Sequence, residues 1–158
     1  MKEENNILHW NIDKLSEALK IDKESVRDYF TDGRRISFLL ERRLAKEFIK
    51  GKIAGSEKSG YDIVDSRGGK WEVRSITKGG IYFTPSGQVG KGRKFNRKEF
   101  LNKIKEIKGY IVCDVVPFPN VPFWVISSED VSRWWRKRLL GKNAKVSRKK
   151  ALNLINNS

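Results

Sequence analysis

The apolar run YIVCDVVP at residues 110–117 constrains the fold of this chain more than any other feature. Asp114 is its only charged residue. A strand with one face in water alternates apolar and polar residues, whereas a strand that is covered on both faces does not. The run therefore predicts a central strand with both faces buried, in an α/β fold.

Regular elements surround this strand in an order that can be followed along the chain. Residues 34–50 have apolar side chains at four-residue intervals, which is typical of a helix with one buried face. Glycine pairs further along favour tight turns between short strands. The predicted elements are a helix at 34–50, a loop at 51–60, strands at 61–65, 70–77 and 80–85, a helix at 96–108 that Asn96 caps, the strand at 110–117, a strand at 123–127, a helix at 127–141 and a short helix that begins at Ser147.

The stretch GYDIVDSRGGKWEVR at residues 60–74 combines two strand-like runs with charged side chains. Because strand side chains alternate between faces, Glu72 and Arg74 share one face of the second run. Asp62 converges on Glu72 if the two runs pair across the Gly68-Gly69 turn. Paired carboxylates are hard oxygen ligands that suit Mg²⁺, the ion that assists phosphodiester cleavage. The alternative is a surface hairpin whose charges pair with one another.

The predicted order αβββαβ over residues 34–127, together with this hairpin, resembles the PD-(D/E)XK nuclease family, which includes most type II restriction endonucleases. The resemblance implies a restriction-endonuclease-like core, with a central mixed sheet flanked by helices. It also implies that Asp62 and Glu72 are catalytic and hold Mg²⁺. Glu41 would contribute to the same metal shell, with Glu47 as a competitor for that role.

Arg74 stands where this family usually has the lysine that positions and activates the attacking water. Arginine binds phosphate well but stays protonated, so it is a poor base. Three explanations are open: the metal alone activates the water while Arg74 is a catalytic electrostatic clamp, Lys70 or Lys78 reaches the site, or the site has lost activity. Asp65 is a rival to Asp62, although it is expected on the opposite face of its strand.

Residues 13–30 are predicted to form two short helices around a turn. The segment resembles a repressor-type helix-turn-helix, with Ser16 and Val26 at the small and aliphatic positions and Lys20 in place of the turn glycine. An ordinary pair of packed helices is the alternative. The resemblance implies that three residues of the second helix reach DNA base edges: Lys23, Glu24 and Arg27.

The charge of the chain also favours nucleic acid. Lys and Arg number 34 against 19 Asp and Glu, which gives a net charge of +15. Such a field favours an anionic partner, and nucleic acid is the commonest. The glycine-rich loop SGQVGKGRKF at 86–95 permits close approach to a DNA backbone. The residues expected to contact phosphates are Lys78, Lys91, Arg93 and Lys94.

The remaining sequence features narrow the class of protein. Cys113 has no partner for an internal disulfide, and His9 is the only histidine, so histidine-based sites are nearly excluded. No apolar run reaches the roughly 18 residues of a membrane-spanning helix, and the sequence MKEENN does not resemble a signal peptide. We expect a cytoplasmic protein of bacterial, archaeal or phage type that does not bind membranes.

These expectations combine into one hypothesis. Residues 1–33 form a helical, helix-turn-helix-like segment that recognises DNA, residues 34–141 the nuclease core, and residues 142–158 a basic tail with a helix. The protein is a Mg²⁺-dependent, sequence-specific endonuclease of double-stranded DNA, most consistent with a type II restriction enzyme. Cutting both strands calls for a homodimer or a higher two-fold assembly. The alternatives are a homing endonuclease of the same fold, a junction resolvase, a non-catalytic helix-turn-helix protein and an RNA-binding basic protein.

Overall fold

The computed structural model of the chain describes residues 6–55, 60–90 and 92–158. Its strands are β1 (Asn6–His9), β2 (Lys52–Ile53), β3 (Ile63–Val64), β4 (Lys70–Ile76), β5 (Ile81–Tyr82), β6 (Gly109–Asp114), β7 (Asn120–Ser127) and β8 (Lys145–Val146). Its helices are α1 (Ile12–Leu19), α2 (Lys23–Thr31), α3 (Gly33–Leu44), α4 (Arg97–Glu106), α5 (Ser128–Arg136) and α6 (Arg148–Asn156). Within these ranges no helix has both the length and the apolar character needed to cross a membrane.

A mixed sheet is the centre of the fold, and the α/β class is confirmed. In the described part of the chain the sheet has six strands in the order β1-β7-β6-β4-β3-β2. β4 and β6 are parallel, while the other neighbouring strands are antiparallel. The parallel pair requires a crossover, and α4 lies within that connection.

β6 has the central position that its apolar sequence predicts. It lies between β4 and β7, and all of its residues are buried. One hydrophobic cluster combines β6 residues such as Ile111 with the helices α2 and α3, and a second combines Tyr110 and Val112 with α4, α5 and α6. The sheet therefore has a separate core on each face, and β6 contributes alternate side chains to both.

The structure corrects two of the strand predictions. Residues 80–85 were expected to continue the sheet, but β5 pairs with β8 in a separate two-stranded sheet. β4 already has β3 on one edge and β6 on the other, so no edge of β4 is free for a third strand. The predicted loop at 51–60 contains β2, which pairs with β3. A strand of two residues is too short to show a periodic pattern.

The helix predictions agree with the structure in type and differ in detail. Asn96, Ser127 and Ser147 cap α4, α5 and α6. α3 ends at Leu44, and a π-helical turn over Ala45–Ile49 continues it. The N-terminal region has the two expected short helices but also supplies β1 to the sheet edge.

Candidate active site

The β3–β4 hairpin brings together the two carboxylates that the sequence predicted. Ile63 is paired with Trp71, and the same register sets Asp62 opposite Glu72. Trp71 and Val73 are buried in the cluster that contains α3. The alternation of strand side chains then directs Glu72 to the other face, as predicted.

The two strands separate at Asp62. Its backbone N–H donates to the carbonyl of Trp71 at 2.9 Å, one residue out of step with the pairing of Ile63 and Trp71. Two residues further along β4, the backbone N–H of Val73 donates to the Asp62 carboxylate at 2.8 Å and not to a carbonyl. The carboxylate therefore satisfies a strand amide of β4, and Asp62 and Glu72 both line a cleft at this point.

This cleft, which we call the acidic cavity, has a volume of about 720 Å³. Glu41 from α3, Asp62 and Glu72 line it, and Lys103 from α4 joins them. Separate elements therefore direct three carboxylates and an amine into one space. Such convergence of ionisable groups in a cleft is a common property of catalytic sites.

Glu72 is buried between two cations. Its side chain is 2% exposed, its Oε1 lies 2.6 Å from Nη2 of Arg74, and its Oε2 lies 2.7 Å from Nζ of Lys103. Each oxygen of the Glu72 carboxylate therefore faces a cation. Loss of either partner would leave charge uncompensated in a buried environment.

Arg74 is held by the chain that follows β5. Its Nη2 donates to the carbonyl of Thr84 at 2.9 Å, and its Nη1 donates to the hydroxyl of Ser86 at 3.1 Å. That segment is fixed in turn by the C-terminal region, because the N–H of Phe83 donates to the carbonyl of Ala144 at 2.9 Å. The guanidinium orientation therefore depends on contacts between distant parts of the sequence.

Lys103 is the site residue that the sequence analysis missed. Phe100 and Ile104 mark the buried face of α4, and Lys103 lies at the edge of that face with its side chain 12% exposed. Helical periodicity therefore gives a signal that Lys103 is partly covered. It does not reveal the partner, because Glu72 meets α4 only through the crossover between β4 and β6.

The two lysines proposed from sequence lie elsewhere. Nζ of Lys70 is over the ring of Tyr61, 5.1 Å from its centroid. Lys78 is exposed in the turn between β4 and β5. Among the described residues, Lys103 is the lysine that pairs with Glu72.

Glu41 and Asp62 are carboxyl groups with raised pKa values. Burial, followed by the charge of Asp62, raises the pKa of Glu41 to about 7. Burial, followed by the charge of Glu72, raises the pKa of Asp62 to about 6. Glu47, the competitor of Glu41, instead pairs with Arg43 at 3.0 Å and is half exposed. The geometry therefore associates Glu41, and not Glu47, with the acidic cavity.

Asp65, the alternative to Asp62 as a site residue, is hydrogen-bonded within the hairpin turn. It accepts hydrogen bonds from the N–H groups of Arg67 and Gly69 and from the indole of Trp71, at 2.8–2.9 Å. The indole, followed by the Gly69 amide, lowers the pKa of Asp65 to about 2. A Cβ at Gly69 would lie 2.4 Å from the Asp65 carboxylate, so a larger residue there would displace this side chain. Asp65 organises the hairpin turn.

The chemistry of the cavity fits a magnesium ion. Mg²⁺ is usually bound by one or two carboxylates, water and substrate phosphates. Asp62 and Glu72 supply two such carboxylates in the acidic cavity, where Nζ of Lys103 lies 2.7 Å from Oε2 of Glu72. The described ranges contain no group of three or more His, Cys, Asp or Glu side chains arranged to hold a metal. The fit therefore rests on two carboxylates that act together with a phosphate.

The residues predicted to contact DNA lie in three places. Lys23 and Glu24 are exposed on α2, while Nη1 of Arg27 donates to the carbonyl of Phe118 at 2.5 Å. Lys20, between α1 and α2, has a φ of 56°, the left-handed conformation that glycine normally adopts at such a turn. Lys94 is exposed, Arg93 lines the acidic cavity, and Lys91 lies outside the described residues.

The structure thus defines an α/β protein with a cleft in which carboxylates and basic side chains meet at the central sheet. No protein-family model matches the chain, and no curated protein matches it significantly. The geometry of the cleft is therefore the basis for assigning a function.

Proposed function

We propose that this protein is a Mg²⁺-dependent DNA endonuclease of the PD-(D/E)XK type. The observation that carries the proposal is the convergence of Asp62, Glu72 and Lys103 in one cleft, with Arg74 on the strand of Glu72. The order α3-β2-β3-β4-α4-β6 supports it, since a helix, three strands, a helix and a strand follow one another as in that family, with β5 as an addition.

Each residue of the cleft has a role in this proposal. Asp62 and Glu72 hold the ion, which supplies charge neutralisation and a more acidic water. Nζ of Lys103 lies against the same carboxylate and orients the water, which is the role usually taken by the motif lysine. Arg74 stabilises negative charge on the phosphate, because it stays protonated and is held rigidly by Thr84 and Ser86.

Glu41 supplies a group that can exchange a proton near neutral pH. Its pKa of about 7 is close to the value at which a carboxyl group can both accept and release a proton under physiological conditions. Its position in the acidic cavity sets it beside Asp62 and Glu72. Glu41 is therefore the group of the cleft to which we assign proton transfer.

Double-stranded DNA is the substrate that the surface favours. The net charge of +15 and the exposed basic residues of the 86–95 segment suit a polyanion. The exposed face of α2 would contribute sequence recognition, and a two-fold assembly would allow both strands to be cut. A type II restriction endonuclease combines these properties, and a homing endonuclease of the same fold is the nearest alternative.

Cleavage of a panel of plasmid and phage DNA, with and without Mg²⁺, tests this proposal. The wild-type protein is expected to give discrete bands that require the ion, and Glu72→Gln to give none. Glu47→Gln is the matched control, because Glu47 is exposed and pairs only at the surface with Arg43. Equal cleavage by wild type and Glu72→Gln would contradict the assignment.

A non-catalytic DNA-binding protein is the second candidate. The observation that favours it is the pairing of Glu72 with two cations, which would also suit a carboxylate with a structural role. The α1–α2 pair would then provide the main DNA contact. This candidate predicts tight, salt-sensitive binding without cleavage, and binding that Glu72→Gln does not change in a folded protein.

A further inference from the structure

A second and larger cavity lies directly beside the acidic cavity. Its volume is about 1010 Å³, and we call it the basic cavity. Ser37, Ser86 and Arg93 line both cavities, so the two spaces adjoin. The start of α3, the C-terminal half of β4 and the segment after β5 all contribute residues to its lining.

The two cavities differ in their balance of charge. Arg34, Arg74 and Arg93 line the basic cavity with one carboxylate, whereas three carboxylates and three basic residues, Arg42, Arg93 and Lys103, line the acidic one. Asp32 is the single carboxylate among the described lining residues of the basic cavity, and it is already engaged. It accepts hydrogen bonds from the backbone N–H groups of Arg34 and Arg35 and pairs with the Arg35 side chain.

Two of these arginines can accept a further partner. The side chain of Arg34 is exposed and makes no ion pair within the described ranges. Arg93 donates only weakly, to the carbonyls of Ser86 and Val89 at 3.3 and 3.4 Å. Ser75 and Thr77 also line this cavity and add hydroxyl groups to it. Guanidinium and hydroxyl donors in a groove are the usual contacts of nucleic-acid phosphates.

We propose that the basic cavity binds the phosphate next to the one that is cleaved, on the same DNA strand. The sugar-phosphate backbone then follows a continuous groove, with one phosphate at Arg34 and Arg93 and the cleaved phosphate at Asp62 and Glu72. This inference rests on the proposed nuclease function for the identity of the cleaved phosphate. The binding of a backbone by the groove does not depend on cleavage.

The lining indicates contact with the backbone and not with bases. Tyr82 is the only aromatic residue among the described residues of this lining, and Nζ of Lys145 already lies over its ring, 4.8 Å from the centroid. Contacts to phosphates position DNA without reading its sequence. The basic cavity therefore contributes affinity that is equal for all sequences.

Fluorescence anisotropy of short labelled duplexes, in chelator without metal, tests the inference. Arg34→Gln is expected to weaken binding of unrelated sequences by the same factor and to reduce the slope of log K against log salt by about 1. Arg136→Gln is the matched control, because Arg136 on α5 is exposed and lies outside the described lining of both cavities. It is expected to bind as the wild type does. Arg34→Lys, which retains the charge, should recover most of the slope.

Replacement of single phosphates by neutral methylphosphonates locates the contact. A neutral linkage beside the cleaved bond should weaken binding by the wild type but not by Arg34→Gln, since the variant has already lost that contact. The inference is overturned if Arg34→Gln and Arg136→Gln weaken binding equally, or if the Arg34 effect is confined to one sequence. Melting curves verify that each variant is folded.

The two proposals fail in different ways. Cleavage that persists while Arg34→Gln binds every duplex normally would overturn the basic cavity as a phosphate site and leave the nuclease intact. Absence of cleavage with a reduced salt slope in Arg34→Gln would support the groove and overturn the nuclease.

Discussion

Two aspartates at opposite ends of β3 have opposite electrostatic environments. Asp65 accepts three N–H hydrogen bonds from its own hairpin, and its pKa falls to about 2. Asp62 lies in the acidic cavity near Glu72 and Glu41, and its pKa rises to about 6. The fold therefore stabilises the ionised form of Asp65 and destabilises the ionised form of Asp62.

The difference indicates that Asp65 has a structural role, whereas Asp62 remains available for a functional one. A carboxylate that is satisfied by local donors stabilises the hairpin and has little capacity for another ligand. Carboxylates that are crowded against one another destabilise the fold, and a cation would relieve that repulsion. Residues that violate local stability rules in this way are concentrated at functional sites.

The largest expected effect separates the aspartates by activity. Asp62→Asn should lower cleavage by more than about a hundredfold, since even residues that only support metal ligands cost roughly 10–100-fold. Asp65→Asn should cleave at the wild-type rate at temperatures where it is folded. Rates with a DNA that the wild type cuts provide the measurement. Equal losses in both variants would remove the distinction.

The next effect concerns the lysine that joins Asp62 and Glu72 in the cavity. Lys103→Met should reduce cleavage by about 10–100-fold, because it removes a positioned cation while preserving most of the side-chain volume. Lys105→Met, at an exposed position of the same helix, is the control and should retain activity. If Lys103→Met cleaves as fast as Lys105→Met, Lys103 has only a structural role.

A smaller effect is expected on the stability of the hairpin. Asp65→Asn should lower the free energy of unfolding by about 1–2 kcal/mol, because neutral acceptors replace charge-assisted ones. The stabilisation by Asp65 is present above its unfolded pKa of 3.8 and is lost as pH falls towards 2. Urea unfolding at pH 7 and at pH 2.5 (assay choices, roughly above and within the transition) should show a smaller difference at the lower pH.

The smallest effect has the opposite sign. Asp62→Asn should raise the free energy of unfolding at neutral pH by about 1 kcal/mol, since it removes a carboxylate that is costly to ionise in the fold. The folded pKa is above the unfolded one, so the wild type loses stability as pH rises from about 4 to about 6. The gain of the variant should follow the same range and disappear below it. A gain that is constant with pH would contradict this origin.

The sequence predicts the parts of this structure that depend on local patterns. The buried β6, the caps of α4, α5 and α6 and the alternation of Glu72 with Trp71 all follow from periodicity or short-range chemistry. β2 and the pairing of β5 with β8 were not predicted, because they depend on which strand edges are free after the sheet forms.

The site is predictable to the same extent. Asp62 and Glu72 are paired by one tight turn, so their convergence is visible in the sequence. Lys103 is brought to Glu72 by a crossover of some thirty residues between β4 and β6, and no local pattern contains that contact. The same holds for Thr84 and Ser86, which hold Arg74 only because β5 pairs with the C-terminal region.

Binding of Mn²⁺ in the presence of duplex DNA, followed by the loss of the free-ion electron paramagnetic resonance signal, tests the central claim most directly. The account predicts that wild type and Asp65→Asn bind the ion, while Asp62→Asn and Glu72→Gln bind it far more weakly. Equal binding by all four folded proteins, or none by the wild type with DNA bound, would contradict the assignment of Asp62 and Glu72 as a metal site.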